Sequence, residues 1–207
     1  ANPGHPTGTR IPRAELVRLR EGLRGDILLV VDEAYGEFAD HLGEPVFDLV
    51  GRGDTVILRT FSKAYGLAGM RVGWGLFPES IAGEVRKVMN PNNISDAGQA
   101  AAAAALSDQA YMRETCAITA RLRDGFLHRL REAGFDVAES FTNFALIRFD
   151  DARAAQQADA ALRAEGVVAR TQSGAGLSDC LRVTIGTAEE LNFAASLLEH
   201  WAMGGKA

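Results

Sequence analysis

Cysteine is scarce in this chain of 207 residues, which contains only Cys116 and Cys180. The two lie far apart in the sequence and neither belongs to a Cys-x-x-Cys pair, so the pattern predicts neither a disulfide scaffold nor a zinc site. We expect both to be core thiols of a protein from a reducing compartment. The sequence gives no reason to expect a bound metal, and we predict none.

Positive charge and long apolar runs are also lacking. The chain has 22 Lys and Arg against 27 Asp and Glu, a formal net charge of −5, and its basic residues are scattered. This distribution predicts no surface for nucleic acid or for an anionic membrane. No apolar run is long enough to span a bilayer, and the first residues lack the basic-then-apolar order of a signal peptide. We therefore expect a cytoplasmic protein.

The most unusual stretch that the chain does have is TFSKAYGLAGMRVG, residues 60–73, which places hydroxyls, one lysine and one arginine in a glycine-rich turn between apolar runs. The amine of Lys63 can attack a carbonyl and form a Schiff base. The hydroxyls of Thr60 and Ser62 and the planar guanidinium of Arg71 are suited to hold a phosphate beside that amine. The combination indicates pyridoxal phosphate as the cofactor.

The order of these residues resembles the cofactor-lysine motif of fold-type I pyridoxal-phosphate enzymes, specifically the class I and II aminotransferases. Ser62-Lys63 is followed by Gly-Leu-Ala-Gly and, eight positions after the lysine, by Arg71. A solvated lysine and an unrelated surface arginine would not account for this ordered spacing. The resemblance implies an α/β fold, with a mostly parallel sheet in a large domain and a small C-terminal α/β domain.

An unalternating apolar run, residues 27–31, ends at Asp32 and predicts a parallel strand buried on both faces. Ligands of open parallel sheets bind at the carboxyl ends of the strands, where Asp32 and Tyr35 stand. A carboxylate there can pair with the pyridine nitrogen of the cofactor, and a tyrosine can donate to its phenolic oxygen. Asp-Glu-Ala-Tyr ahead of the lysine resembles the family, with Glu33 as structural support. The alternative is an acidic helix cap and a packing tyrosine.

The opening segment, residues 1–9, is dense in Pro, Gly and Asn and predicts a loop. It resembles the aminotransferase segment Asn-Pro-x-Asn-Pro-Thr-Gly, in which the second Asn usually donates to the phenolic oxygen. His5 occupies that position here. Its ring can donate a hydrogen bond, but it is bulkier and can become charged near neutral pH. Either His5 binds the cofactor, or it fills the loop and Asn2 or a water supplies the contact.

Arg182 lies within the otherwise apolar run of residues 181–185, where an unpaired buried charge would be costly, so we expect it to face a cavity or a partner. A bidentate clamp on a substrate carboxylate is its natural role. The segment CLRVTIGT resembles the substrate-carboxylate motif of the class, most closely that of the histidinol-phosphate aminotransferases. The same resemblance implies that Arg170 contacts a substrate phosphate and that Asn143 lies near the substrate. Arg170 alone could be a surface residue.

With 47% hydrophobic residues the chain can bury a sizeable core in one large or two small domains. We predict that residues 1–110 form the C-terminal part of the cofactor-binding large domain, 111–133 a linking helix and 134–207 the small domain. The N-terminal part of the family fold is expected to be absent. Strands are predicted at 27–31, 55–59, 72–77, 137, 144–149, 167–169 and 181–185. Helices are predicted from 12 to about 22–25 and at 78–89, 96–106, 108–133, 152–165 and 188–203. A loop with a short helix is predicted at 38–52 and a flexible loop at 174–177.

The family resemblance implies amino transfer by a homodimer, with Lys63 as both cofactor anchor and base. Histidinol phosphate and 2-oxoglutarate are the favoured substrates. One alternative keeps the cofactor but changes the reaction to a decarboxylation or another lyase step, as in the related threonine-phosphate decarboxylases. Another is a non-catalytic module that binds pyridoxal phosphate or serves regulation, for which the departure at His5 and the expected absence of the first part of the family fold are the arguments. One scaffold hosts many reactions, so the fold alone does not choose among them.

Overall fold

The computed structural model describes residues 1–43 and 45–204, which divide into two compact units. Unit 1 comprises Ala1–Pro3 and Arg10–Cys116, and unit 2 comprises Gly4–Thr9 and the residues from Ala117 onward. The division of the chain into residues 1–110, 111–133 and 134–207 stays a prediction, and residues 205–207 of its last part lie outside the described residues.

Unit 1 contains a three-stranded sheet in the order β1-β2-β3. Its strands are β1 (Leu29–Asp32), β2 (Thr55–Thr60) and β3 (Gly73–Leu76). β1 and β2 are parallel, and β3 runs antiparallel to β2. The two apolar runs therefore form neighbouring parallel strands, as predicted, and their carboxyl ends lie at the same edge of the sheet. The prediction that the first strand is buried on both faces is wrong for the described residues, because Val30 is 48% exposed.

Four helices belong wholly or in part to unit 1. They are α1 (Arg13–Gly22), α2 (Glu79–Val88), α3 (Asp96–Ser107) and α4 (Gln109–Glu132), of which the last continues into unit 2. Ser95 caps α3, because its hydroxyl accepts a hydrogen bond from the Gly98 amide at 3.1 Å. The segment predicted as a loop with a short helix contains three 3₁₀ turns, Gly36–Phe38, Asp40–Leu42 and Phe47–Arg52, and its residue 44 lies outside the described residues.

Unit 2 contains a four-stranded antiparallel sheet in the order β4-β5-β7-β6. Its elements are β4 (Asp136–Val137), β5 (Phe144–Arg148), α5 (Ala152–Ala164), β6 (Arg170–Gln172), β7 (Leu177–Thr184) and α6 (Ala188–Gly204). Ala145, Ile147, Leu181 and Val183 join the apolar core with side chains of both helices. Because side chains alternate along a strand, Arg182 lies on the opposite face of the sheet.

The strand predicted at residues 167–169 is wrong by several positions, since β6 spans Arg170–Gln172. The cause is the end of α5. Gly166 has a φ of 80°, and the amide of Val167 donates to the carbonyl of Leu162 at 2.9 Å. These residues terminate the helix, so pairing with β7 begins only afterwards. The predicted loop at 174–177 is likewise shorter, because a 3₁₀ turn at Ser173–Ala175 leads directly into β7.

Within residues 1–43 and 45–204, no helix combines the length and the apolar character that crossing a bilayer would require.

Gly8 fastens the segment Gly4–Thr9 to the rest of unit 2. Its carbonyl accepts a hydrogen bond from the Phe141 amide at 2.8 Å. Its φ is +76°, and a Cβ at this position would lie 2.5 Å from Oγ of Ser140. Ser140 is buried and donates to the carbonyl of Phe144 at 2.7 Å, so it has little freedom to move. A glycine is therefore required both by the backbone conformation and by the close approach.

We expect Gly8→Ala to lower the free energy of unfolding of unit 2 by about 2 kcal/mol or more, because it adds a steric clash to an unfavourable φ. Gly134→Ala is the matched control, since Gly134 also has a positive φ, +87°, but a Cβ there would meet nothing within 4 Å. It should cost only about 1 kcal/mol. Denaturant titration of both variants measures the difference, and equal losses would contradict the role given to Ser140.

Candidate functional site

Lys63 and Tyr35 meet at the carboxyl ends of the two parallel strands of unit 1. Lys63 lies in the turn after β2, and its Nζ is 5.2 Å from the centre of the Tyr35 ring. The tyrosine is buried and the lysine half-buried. An ammonium group over an aromatic ring is attracted by the negative electrostatic potential at the face of the ring. The fold thus brings together two of the residues predicted to form the cofactor site.

Asp32, the last residue of β1, presents an exposed carboxylate at the same edge, and its Oδ1 accepts a hydrogen bond from the Ala34 amide at 3.0 Å. Its carbonyl accepts from the Asn2 amide at 2.8 Å. The buried Asn2 side chain donates to the carbonyl of Ile11 at 3.0 Å and accepts from the Ile11 amide at 2.8 Å. Both polar groups of Asn2 thus face the backbone, which argues against Asn2 as the cofactor contact considered above.

The three predicted phosphate ligands are Thr60, the last residue of β2, Ser62 in the turn that follows, and Arg71 shortly before β3. Thr60 Oγ1 accepts from the Ser62 amide at 3.1 Å and donates to the carbonyl of Val72 at 3.4 Å. Arg71 is exposed, has a φ of 56°, and donates through Nη1 to the carbonyl of Ala68 at 2.8 Å. That bond uses one of five guanidinium donors. The donor set of hydroxyls, amine and guanidinium fits a phosphorylated carbonyl compound such as pyridoxal phosphate.

A cluster of charged residues, the Arg59 cluster, lies beside this edge and consists of the buried Arg59, Glu33 and Glu37 and the exposed Asp40. Arg59 Nη1 and Nη2 each lie 2.7 Å from an oxygen of Asp40, and Nε lies 2.9 Å from Oε2 of Glu33. The Glu37 carboxylate is 3.6 Å from Nη1. The guanidinium therefore ties the segment after β1 to the end of β2.

Burial determines the titration of this cluster. It raises the pKa of Glu37 from 4.5 to about 7, an effect that the nearby Arg59 charge only partly offsets. Burial likewise raises the pKa of Glu33 against the opposing charge of Arg59. Burial lowers the pKa of Arg59, but the hydrogen bonds to Asp40 and the charges of the carboxylates raise it by more, so the guanidinium stays charged. Oε2 of Glu37 is buried and has no hydrogen-bond partner among the described residues.

In unit 2 the predicted substrate arginines are cross-strand neighbours, because Arg170 of β6 pairs directly with Arg182 of β7. Directly opposed residues project from the same face of a sheet with Cβ atoms about 5 Å apart, and like charges in such a pair repel each other. An anion bound by both guanidinium groups would remove that repulsion. The strand register thus supports an anion site on this face of the sheet.

Arg182 also contacts two aromatic side chains of unit 2. Its Cζ lies 5.0 Å from the centre of the Phe144 ring, and its Nη1 lies 2.6 Å from Nε2 of His5. His5 therefore belongs to the unit of Arg182, whereas Lys63 and the other predicted cofactor residues belong to unit 1. Asn143 is half-buried immediately before β5, and its carbonyl accepts from the Ile185 amide at 2.8 Å.

The sequence interpretation missed Arg59, although a usable signal was present. Arg59 interrupts an apolar run just as Arg182 does, and the same cost of burying an unpaired charge predicts an ionic partner for it. Its partners Glu37 and Asp40 follow the Asp-Glu-Ala-Tyr motif closely, but nothing in their spacing indicates that Glu37 is buried or that either contacts Arg59. Among residues 1–43 and 45–204, no three His, Cys, Asp or Glu residues are grouped as a metal site would require.

Comparison with known proteins relates the chain to a single family. A family model described as aminotransferase class I and II matches residues 1–198. The histidinol-phosphate aminotransferase of Paramagnetospirillum magneticum is 44% identical, with 97% of this chain and 56% of that protein covered. The histidinol-phosphate aminotransferase of Rhodospirillum centenum is 40% identical over 99% of this chain and 57% of its own length. The chain thus spans a little over half the length of these relatives.

Solved structures show the same relation. The histidinol-phosphate aminotransferase of Sinorhizobium meliloti in complex with pyridoxal 5'-phosphate matches with a TM-score of 0.89 and 32% identity, over 98% of this chain and 56% of that one. The L-threonine-O-3-phosphate decarboxylase of Porphyromonas gingivalis matches with a TM-score of 0.84 and 25% identity, over 98% and 63%. The α/β architecture of fold-type I enzymes predicted from the sequence is confirmed, as is the absence of part of that fold from this chain.

We expect Arg59→Met to lower the free energy of unfolding by about 3–5 kcal/mol, because it leaves buried carboxylates without their cation. Arg52→Met serves as the control, since Arg52 pairs with Glu21 at 3.6 Å on the exposed surface. Its loss should stay below about 1 kcal/mol. Denaturant unfolding at neutral pH compares the two, and similar losses would show that the Arg59 cluster does not stabilise unit 1.

Glu37 should make stability depend on pH. Because its pKa is raised from 4.5 to about 7 in the folded state, the folded protein retains this proton where the unfolded chain releases it. Its stabilising contribution is therefore complete below about pH 4.5 and is lost as pH rises towards 7, by about 3 kcal/mol in total.

We expect Glu37→Gln to remove this part of the pH dependence, which free energies of unfolding measured from pH 5 to pH 8 can follow. Glu84→Gln, at an exposed carboxylate paired with Lys87, should leave the slope unchanged. Parallel curves for the native protein and the Glu37 variant would refute the raised pKa.

Proposed function

The chain belongs to the class I and II aminotransferases, and we propose on this premise that the protein transfers amino groups with pyridoxal phosphate as its cofactor. The observation that carries the proposal is the position of the Lys63 amine over the Tyr35 ring, 5.2 Å from its centre, at the carboxyl ends of two parallel strands. The named relatives with 40% to 44% identity support the same activity.

We assign the covalent attachment of the cofactor to Nζ of Lys63. When bound, pyridoxal phosphate supplies a ring that withdraws electrons from the reacting carbon. The carboxylate of Asp32 would hold a proton on the ring nitrogen, and the hydroxyl of Tyr35 would donate to the phenolic oxygen. The free amine of Lys63 would be the base that moves a proton at the reacting carbon.

Phosphate binding falls to Thr60, Ser62 and Arg71 in this proposal. The two hydroxyls belong to the last residue of β2 and to the turn after it, and the guanidinium offers a planar pair of donors to phosphate oxygens. Arg71 has a left-handed backbone conformation, with a φ of 56°, which is unusual for a residue other than glycine. Such conformations are found most often at functional sites of proteins.

Substrate binding falls to Arg182, Arg170 and Asn143. We propose that Arg182 binds the α-carboxylate and Arg170 a phosphate on the amino donor, which their cross-strand pairing supports. Histidinol phosphate has no carboxylate. If it is the amino donor, Arg182 would bind the carboxylate of the second substrate, 2-oxoglutarate. We propose these two compounds as the substrate pair.

We also propose that the protein acts as a homodimer in the cytoplasm, as the family resemblance implies. Cys116 and Cys180 are both free thiols, which suits a reducing compartment. The decarboxylase of Porphyromonas gingivalis, at 25% identity, makes a lyase reaction the second candidate. The two reactions differ in what happens to the amino group, because only a transaminase passes it on to a 2-oxo acid.

The test is the absorbance of the protein with pyridoxal phosphate, followed by addition of histidinol phosphate and then of 2-oxoglutarate. We expect a cofactor band that Lys63→Ala abolishes, since only a covalently attached cofactor depends on that amine. Histidinol phosphate should convert the band, and 2-oxoglutarate should restore it. Lys87→Ala, at an exposed lysine of α2, is the control and should behave as the native protein.

A band that forms but is restored by no 2-oxo acid would overturn amino transfer and leave cofactor binding. Release of carbon dioxide from a phosphorylated amino acid would favour the lyase instead.

A further inference from the structure

Arg59 contacts one side of the segment that carries Tyr35. Its Nε lies 2.9 Å from Oε2 of Glu33, and its Nη1 and Nη2 each lie 2.7 Å from an oxygen of Asp40. Oε1 of Glu37 lies 3.6 Å from Nη1. The three carboxylates thus follow one another at intervals of three or four residues, and Tyr35 stands among them in the chain.

The turns of the backbone explain why these carboxylates share one side. The Gly36 amide donates to the carbonyl of Glu33 at 2.8 Å, and the Ala39 amide donates to that of Gly36 at 2.9 Å. In such tight turns, residues three or four positions apart lie on the same side of the chain. A Cβ on Gly36 would lie 2.9 Å from the guanidinium. Arg59 is therefore packed against the backbone of the segment as well as bound by its carboxylates.

Tyr35 brings this segment into contact with Lys63. The tyrosine is 6% exposed, and the centre of its ring lies 5.2 Å from Nζ of the lysine. The turn that carries Lys63 is held separately, because the backbone of Phe61 is hydrogen-bonded to Val72 at 3.1 Å and to Leu67 at 2.9 Å. The separation of the two side chains thus depends on what holds the Tyr35 segment.

From this arrangement we propose that Arg59 is a positioning residue for Tyr35 and sets the separation between the tyrosine ring and the Lys63 amine. The role requires an arginine, because a lysine has its donors on a single nitrogen and cannot replace the planar fork between Asp40 and Glu33. The inference deepens the proposed function and rests on it only for what the Tyr35 hydroxyl does to the cofactor. The contacts themselves involve no cofactor.

The first test uses the full chain without cofactor. In protein with labelled lysine and tyrosine, a nuclear Overhauser cross-peak reports contact between the Lys63 side chain and the Tyr35 ring, and Lys63→Arg and Tyr35→Phe identify it. We expect the native protein to show this cross-peak and Arg59→Lys to lose it. Since lysine keeps the positive charge, the loss would report geometry and not charge.

Asp40→Asn is a second variant that disturbs folding less, because 43% of the Asp40 side chain is exposed. It should weaken the same cross-peak. Asp48→Asn is the matched control, since Asp48 forms an equivalent bidentate pair with Arg13, at 2.6 and 2.7 Å, away from the Tyr35 segment. A native cross-peak in Arg59→Lys would overturn the inference, and if that variant does not fold, a native cross-peak in Asp40→Asn would do so.

The second test uses protein loaded with pyridoxal phosphate and follows the pH midpoint of the cofactor band. Under the proposed function, Tyr35→Phe shifts this midpoint by about one pH unit, the effect of one hydrogen bond to a charged group. Arg59→Lys should shift it in the same direction. The double variant should shift it no further than Tyr35→Phe alone, because Arg59 acts through the tyrosine. Additive shifts would contradict that route.

The two tests separate failure of the inference from failure of the proposed function. If no cofactor band forms, the proposed function fails, but the contact between Lys63 and Tyr35 and its loss in Arg59→Lys still decide the inference. If the band forms and Arg59→Lys titrates as the native protein does, the inference fails and the proposed function stands.

Discussion

A buried cation next to the end of β2 is the constraint on which the positions of the proposed cofactor residues of unit 1 depend. Arg59 immediately precedes Thr60, and its partner Glu33 immediately follows Asp32. Successive side chains of a strand project to opposite faces, so Arg59 points away from the face on which Thr60 lies. The ion pair at 2.9 Å thus joins the two strand ends from one face. The chemistry proposed for Asp32 and Lys63 takes place beyond those same ends.

The surroundings of Arg59 explain how so much charge is accommodated. The guanidinium lies 4.8 Å from the centre of the Phe47 ring and 6.0 Å from the Trp74 ring, which adds cation–π attraction. A Cβ on Gly36 would lie 2.9 Å from the guanidinium, so only a glycine permits this approach. Because the pKa of Glu37 is raised to about 7, this residue is mostly protonated below pH 7, and its charge then no longer adds to those of the two carboxylates that bind Arg59 directly.

Apolar runs and helix-start residues in the sequence predicted those helices and strands that depend on neighbouring residues of the chain. The apolar runs of β1 and β2 and the helices after Pro12, Pro78 and Ser95 all form where they were expected, within a few residues. The strand predicted at residues 167–169 begins later, at Arg170, because Val167 still takes part in the hydrogen bonding that ends α5. The Arg59 cluster was missed for a different reason. Its partners are brought together by tertiary packing. The position of Glu37, two residues after Tyr35, does not indicate that its carboxylate is buried.

The two groups of predicted site residues differ in the same way. The residues assigned to the cofactor lie in two short segments, so a motif in the sequence identifies them. The pairing of Arg170 with Arg182 depends on strand register, which the sequence does not state. His5 belongs to both kinds, since it stands in the motif of the first group but contacts the second.

The opening nine residues are in fact divided between the units, with Asn2 bonded to Asp32 and Ile11 in unit 1 and His5 bonded to Arg182 in unit 2. The hydrogen bonds of Asn2 and the contact of His5 therefore belong to different units, although the two residues stand three positions apart. The departure from the family pattern concerns one position of the segment, and the residues proposed to hold the cofactor, among them Asp32, Tyr35 and Lys63, keep the residue types of the motifs that they resemble. A departure at one position of a motif is thus compatible with the proposed function.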